Sequence, residues 1–167
     1  MRPNPEGWEP ADRQRLIEWW LANYPGPGGT VTYWYALEDP WTQALSALKL
    51  TEPNASVALG GDLAADLMAS WRRPERALLY ADSSLGLQTR GFVTVADPDG
   101  ASLILRVPED PSVFPATPEY RSLHGERVAI ADRLQVLWDL FQEAGPDDME
   151  GIEQVLRAIL SEPSEEP

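Results

Sequence analysis

Apolar residues recur along the chain with two spacings, and each spacing predicts a kind of element. Ile17, Trp20, Leu21 and Tyr24 keep the i, i+3, i+4, i+7 rhythm of a helix face, which predicts a helix over 12–24. "PGPGG" stops it, and the β-branched and aromatic run "TVTYWYA" predicts a strand over 30–36. Asp39 is placed to N-cap a helix with Pro40 at its first position and a buried stripe of Trp41, Ala44, Leu45 and Leu48. A short buried strand follows over 56–59. A helix over 62–71 carries the stripe Ala64, Leu67, Met68 and Trp71, and 77–81 is another strand. "DPDG", Asp97 to Gly100, lies between "GFVTVA" and "ASLILRV" and gives the strongest hairpin signal in the chain. Residues 108–120 form a proline-rich loop, and 128–130 a last short strand. Two amphipathic helices close the pattern, over 132–143 (Leu134, Leu137, Trp138, Phe141) and 147–160 (Ile152, Val155, Leu156, Ile159).

Strands alternating with helices, then a hairpin, then helices, predict an α+β (mixed α/β) domain. Its modest mixed sheet holds a β-hairpin and is packed by about five helices, two of them C-terminal. The domain is expected over 12–160, with a disordered segment over 1–11 and a disordered acidic tail over 161–167.

Composition narrows the function more than the fold. Hydrophobic residues make up 43% of the chain and there are seven Trp, enough for a real core. The apolar runs are too short to span a bilayer and "MRPNPEGWEPADRQR" has no apolar h-region, so no membrane partner and a cytoplasmic location are expected. Without cysteine there is no thiolate chemistry, and a single histidine, His124, rules out a histidine-rich zinc site within one chain. The net charge is −14, with ten acids and two bases from Asp132 onward. Such a body repels phosphates, which makes it a poor nucleic-acid binder on its own.

Gly60-Gly61, between a strand and a helix, invites a phosphate-loop reading. The P-loop, however, needs a lysine after its glycines, and the dinucleotide fingerprint needs three spaced glycines. Here Asp62 follows and puts a negative charge where an anion would sit. Gly60, Gly61 and Asp62 are therefore read as a structural turn and helix cap. Nucleotidyltransferases share a small-residue turn, a helix and then a strand with paired acids. The strand "ALLYADSS" offers Asp82 alone, whereas two-metal chemistry gathers several carboxylates around ions about 4 Å apart. The D-x-D of Asp97 and Asp99 belongs to a turn. Lys49, the sole lysine, has Ala47 two residues before it, which disfavours a Glu-x-Lys nuclease strand. A serine triad would have to be built on His124 in "RSLHGER", which reads as an ordinary surface loop. No catalytic residue, no metal ligand set and no cofactor is assigned.

Two charge clusters remain as contact surfaces. Arg72, Arg73 and Arg76 follow a helix end, and Asp147, Asp148 and Glu150 open another helix. Helix dipoles account for both, and a partner surface is the sharper reading. Trp19, Trp20, Trp34 and Trp41 crowd one segment. Tyr33, Trp34 and Tyr35 cannot all face one core, because strand side chains alternate.

The order "YWYALEDPWTQALSAL", "VALGGDLAADLMASWRRPERALLYAD", "VTVADPDGASLILRV" and "ADRLQVLWDLFQEAGPDDMEGIEQVLRAIL" resembles the C-terminal domain of AbiE-type antitoxins, over about 12–160. These are the transcriptional-regulator-like components of type IV toxin–antitoxin systems. The resemblance implies a non-enzymatic regulatory domain acting through protein contacts, with a nucleotidyltransferase-like toxin as partner. It also implies DNA contact only through a separate winged-helix domain, for which the residues before Asp12 leave no room. Two alternatives stay open: a DNA-binding regulator using the arginine patch, and a metal-dependent nucleotide-processing enzyme using Asp82.

Overall fold

The computed structural model describes residues 2–4, 7–9, 12–69, 72–145 and 148–161. Within the segment expected to be disordered, β1 (Arg2–Asn4) pairs antiparallel with β2 (Gly7–Glu9). Then follow α1 (Arg13–Asn23), β3 (Thr30–Tyr35), α2 (Pro40–Leu48), β4 (Val57–Gly60), α3 (Gly61–Ala69) and β5 (Ala77–Ala81). The chain continues through β6 (Val93–Thr94), β7 (Leu103–Val107), β8 (Glu119–Leu123), β9 (Glu126–Ile130), α4 (Arg133–Glu143) and α5 (Met149–Ser161). Seven strands form one mixed sheet in the order β6-β3-β7-β5-β4-β9-β8. The β5–β7 and β4–β9 pairs are parallel, and the others are antiparallel. The mixed α+β architecture with two C-terminal helices is as the pattern predicts. Trp71, Asp147 and 162–167 of the expected tail lie outside the described residues, and Ser161 ends α5.

Local chemistry explains the starts of the helices. Asp12, Asp39 and Asp132 each accept backbone N–H bonds from the first turn they precede, satisfying donors that a helix N-terminus leaves open. β5 is buried at every position, as a central strand covered on both faces must be. α2 packs on β5 and β7, and α3 packs on β4, β5, α4 and α5. In α2 the residues that go inward are Gln43, Ala44 and Ala47, so the buried face is turned from the stripe the spacing predicts. The Gln43 amide donates to the Glu38 carbonyl at 2.6 Å and accepts from Ser102 Oγ at 2.9 Å, fastening the end of β3 to the start of β7. The aromatic cluster divides as strand alternation demands. Trp34 is buried and donates through Nε1 to Thr32 Oγ1, while Tyr35 and Trp19 are exposed, the latter at 63%.

The predicted hairpin at Asp97–Gly100 is corrected. β6 and β7 do not pair with each other, because both pair with β3, which lies between them. The "DPDG" stretch is a 3-10 turn, with the Asp97 carboxylate accepting from the Asp99 N–H, that carries the chain across β3. The true hairpin is β8–β9, within the stretch read as a loop and a short strand. Its turn is His124-Gly125, both at positive φ (49° and 84°). Two left-handed residues are what a tight two-residue hairpin requires.

Candidate functional site

The glycine corner is filled from inside the protein. Gly60 ends β4 and points at β5 and α4. A Cβ there would lie 2.6 Å from Tyr80 Cε2 and 2.8 Å from Asp139 Oδ2. Gly61 opens α3 at φ +52 and donates its N–H to Asp139 Oδ2 at 3.0 Å. Asp139 Oδ1 accepts from the Tyr80 hydroxyl at 2.6 Å and from Gln135 Nε2 at 2.8 Å. The open N-terminus of α3 is thus met by the protein's own carboxylate, where a phosphate would otherwise bind. Burial pushes the Asp139 carboxyl up to about 6, against the pull of its three donors and of the Arg106 charge. Burial and the neighbouring carboxylate raise the Tyr80 phenol far above its ordinary range, so it stays protonated at any working pH. The residues of β5 that face the corner are Leu78 and Tyr80, paired with Gly60 and Ala58, so the strand presents no acid there.

Asp82 lies one residue past β5. Its carboxylate accepts from the Ser56 N–H at 2.7 Å and from Ser83 Oγ at 3.1 Å, a local brace between strands. Among the described residues no three His, Cys, Asp or Glu side chains gather as a metal-holding group.

The two charge clusters find each other. The Arg72 guanidinium binds both oxygens of Asp62 and, through Nη1, Asp148 Oδ1 at 2.6 Å. Arg76 pairs with Glu143 at 3.3 Å. Arg73 and Glu150 are exposed. Asp62 lies in the first turn of α3, where its carboxylate holds Arg72. Arg72 and Arg76 therefore tie the segment after α3 to the C-terminal helices, while Arg73 of the same cluster stays exposed.

Sequence reasoning misses a cleft on the other side of β4. β4 and β9 meet through a single register pair, Leu59↔Ile130. Beside that pair lies a cavity of about 330 Å³ lined by Ala55, Ala58, Phe114, Pro118, Tyr120 and Ala129, among others. Ala129 pairs with Tyr120 across β8–β9, and one step before Leu59↔Ile130 lies Ala58 beside Ala129. Two methyl groups and one ring therefore share a face. The loop on the opposite wall is anchored at its start. Tyr24 OH donates to Asp110 at 2.8 Å, and the Asp132 N–H donates to the Val113 carbonyl at 2.8 Å. Tyr120 is 43% exposed and separates the cleft from a shallower hollow of about 210 Å³ beside Arg121, Ser122 and Arg127. The Arg127 guanidinium stacks over the Tyr120 ring, 3.8 Å from its centroid.

No family model matches the chain, and no curated protein does. A solved structure to which it is similar is that of ANT(2")-Ia, an aminoglycoside nucleotidyltransferase, in complex with adenylyl-2"-tobramycin. The likeness has 18% identity over 72% of this chain and 88% of that chain, with a TM-score of 0.44. The expectation of a non-enzymatic antitoxin-like regulatory domain is corrected at this point: the solved structure to which the chain is similar is an enzyme's. At this identity and TM-score the neighbour's substrate and chemistry remain its own. Among the described residues no helix is long and apolar enough to cross a membrane.

Proposed function

We propose that this chain is a ligand-binding domain whose working site is the cleft between β4 and the β8–β9 hairpin. The ligand class is a small molecule with a flat apolar or aromatic group. The observation that carries this reading is the cavity of about 330 Å³ where β4 and β9 share one register pair, with alanines on its floor and Phe114 and Tyr120 on its walls. That volume lies at the lower end of the range of about 300–1,000 Å³ typical of ligand sites. Small side chains leave a flat floor, and aromatic walls offer stacking partners to a ring. The glycine corner has the opposite character, since the Gly61 N–H, the Tyr80 hydroxyl and the Gln135 amide all donate to Asp139 there.

Titrating the ¹⁵N-labelled protein with naphthalene-2-carboxamide, an uncharged flat probe, should shift the backbone amides of Ser56, Ala58, Tyr120 and Ala129 first. Ala129→Trp fills the floor and should weaken the probe by at least about tenfold, or about 1.4 kcal/mol. Its melting temperature should stay within about 4 °C of wild type, because Ala129 is only partly buried and its side chain borders the open cleft. Probe binding that leaves these amides unmoved, or that Ala129→Trp does not weaken, would refute the reading.

A further inference from the structure

We infer that the ligand of this cleft carries an anionic group, recognised by Arg127 across the Tyr120 ring. The inference rests on the cleft reading above and adds the chemistry of the ligand's far end. Tyr120 lines both the cleft and the shallower hollow beside it, so a ring in the first places its substituent over the second. Arg127 stands at that junction. It pairs with Ser122 across the hairpin and lies on the same face as Tyr120, with its guanidinium over the phenol ring.

Stacking uses the flat face of a guanidinium and leaves its N–H donors in the plane, pointing sideways into the hollow. Among the described residues no hydrogen bond or ion pair occupies them, in contrast to neighbouring Arg121, which pairs with Glu119. A carboxylate or a phosphate ester is the group that such a fork takes in two parallel bonds. Glu126 also lines the hollow and disfavours a second negative charge. The ligand class is therefore an aromatic or alicyclic molecule with one acidic group, about a ring's width from its apolar end. Residue chemistry points the same way in the cleft, where no charged side chain stands among the lining and Ser56 and Tyr120 carry its hydroxyls.

A matched pair of probes separates this inference from the reading it rests on. Naphthalene-2-carboxylate and naphthalene-2-carboxamide have nearly the same shape and differ in charge. With the full chain, the carboxylate is expected to bind about three- to tenfold more tightly, a modest factor because Arg127 is exposed. Arg127→Gln should abolish the difference between the two probes, and Arg127→Lys should restore part of it. Equal binding of the two probes at Ala58 and Ala129 overturns the anionic-end inference and leaves the cleft standing. Failure of both probes to shift those amides overturns the cleft reading, and this inference with it. A preference for the carboxylate that survives Arg127→Gln also overturns it, by placing the anion elsewhere.

Discussion

Replacing Asp139 with alanine should destabilise the protein by about 3 kcal/mol at pH 7 and by about 5 kcal/mol at pH 4.5. The change leaves the buried Tyr80 hydroxyl and the Gly61 N–H without an acceptor, and the Gln135 amide keeps the Tyr80 oxygen alone of its two acceptors. A buried donor left unpaired costs about 1–3 kcal/mol. Against this, the substitution removes a buried charge, and that relief depends on pH. The folded carboxyl is raised to about 6, above its unfolded value of about 4. The folded protein therefore holds this proton more tightly than the unfolded chain. The stability that the group contributes is full below about pH 4 and is lost as pH rises through about 6. Between pH 4.5 and pH 7 the loss amounts to about 2 kcal/mol in wild type and is absent from the alanine variant. The rotatable Tyr80 hydroxyl can turn to accept the extra proton's hydrogen bond. Urea midpoints of both proteins at the two pH values measure the effect. Equal costs at both would mean that Asp139 does not titrate as its burial requires.

Gly60→Ala should cost about 3 kcal/mol, a large effect for one methyl group. Its Cβ would fall 2.6 Å from Tyr80 Cε2 and 2.8 Å from Asp139 Oδ2, closer than real contacts allow. Neither neighbour is free to give, because each is held by the other's hydrogen bond beneath α4. Gly100→Ala is the control: a Cβ there meets nothing within 4 Å and the change should stay within about 0.5 kcal/mol. The comparison bears on function as well as stability. A glycine kept for close approach of a phosphate would tolerate a methyl group in the unliganded fold, whereas one kept for the packing of Tyr80 and Asp139 would not.

Much of the scaffold is legible in the sequence, because caps and periodicity are local. Asp12, Asp39 and Asp132 mark helix starts within a residue of where they fall, and the unbroken apolar run at Ala77–Ala81 marks the central strand. What is not legible depends on partners far along the chain. "DPDG" looks like a hairpin turn until β3, from much earlier in the chain, comes between β6 and β7. The arginine and acid clusters look like two docking surfaces, yet Arg72 and Asp148, 76 positions apart, close on each other. Asp139 and Gln135, four residues apart, are a polar pair on the apolar face of α4, and that placement is legible in the sequence. "HG" between β8 and β9 carried a hairpin signal as well. The cleft had no such signal, because it arises where a parallel ladder narrows to one pair, and no short stretch of sequence encodes that.

On the proposed reading, ligands enter beside Ala58 and Ala129, and Asp139 closes the glycine corner. One amide-resolved NMR titration tests it directly, with magnesium-ATP and naphthalene-2-carboxylate added to separate samples of the same protein. The expected result is that the carboxylate shifts Ala58, Tyr120 and Ala129 while magnesium-ATP leaves Gly60, Gly61 and Asp62 unmoved. Saturable shifts of Gly60 and Gly61 with magnesium-ATP, and none at Ala129 with the carboxylate, would contradict it.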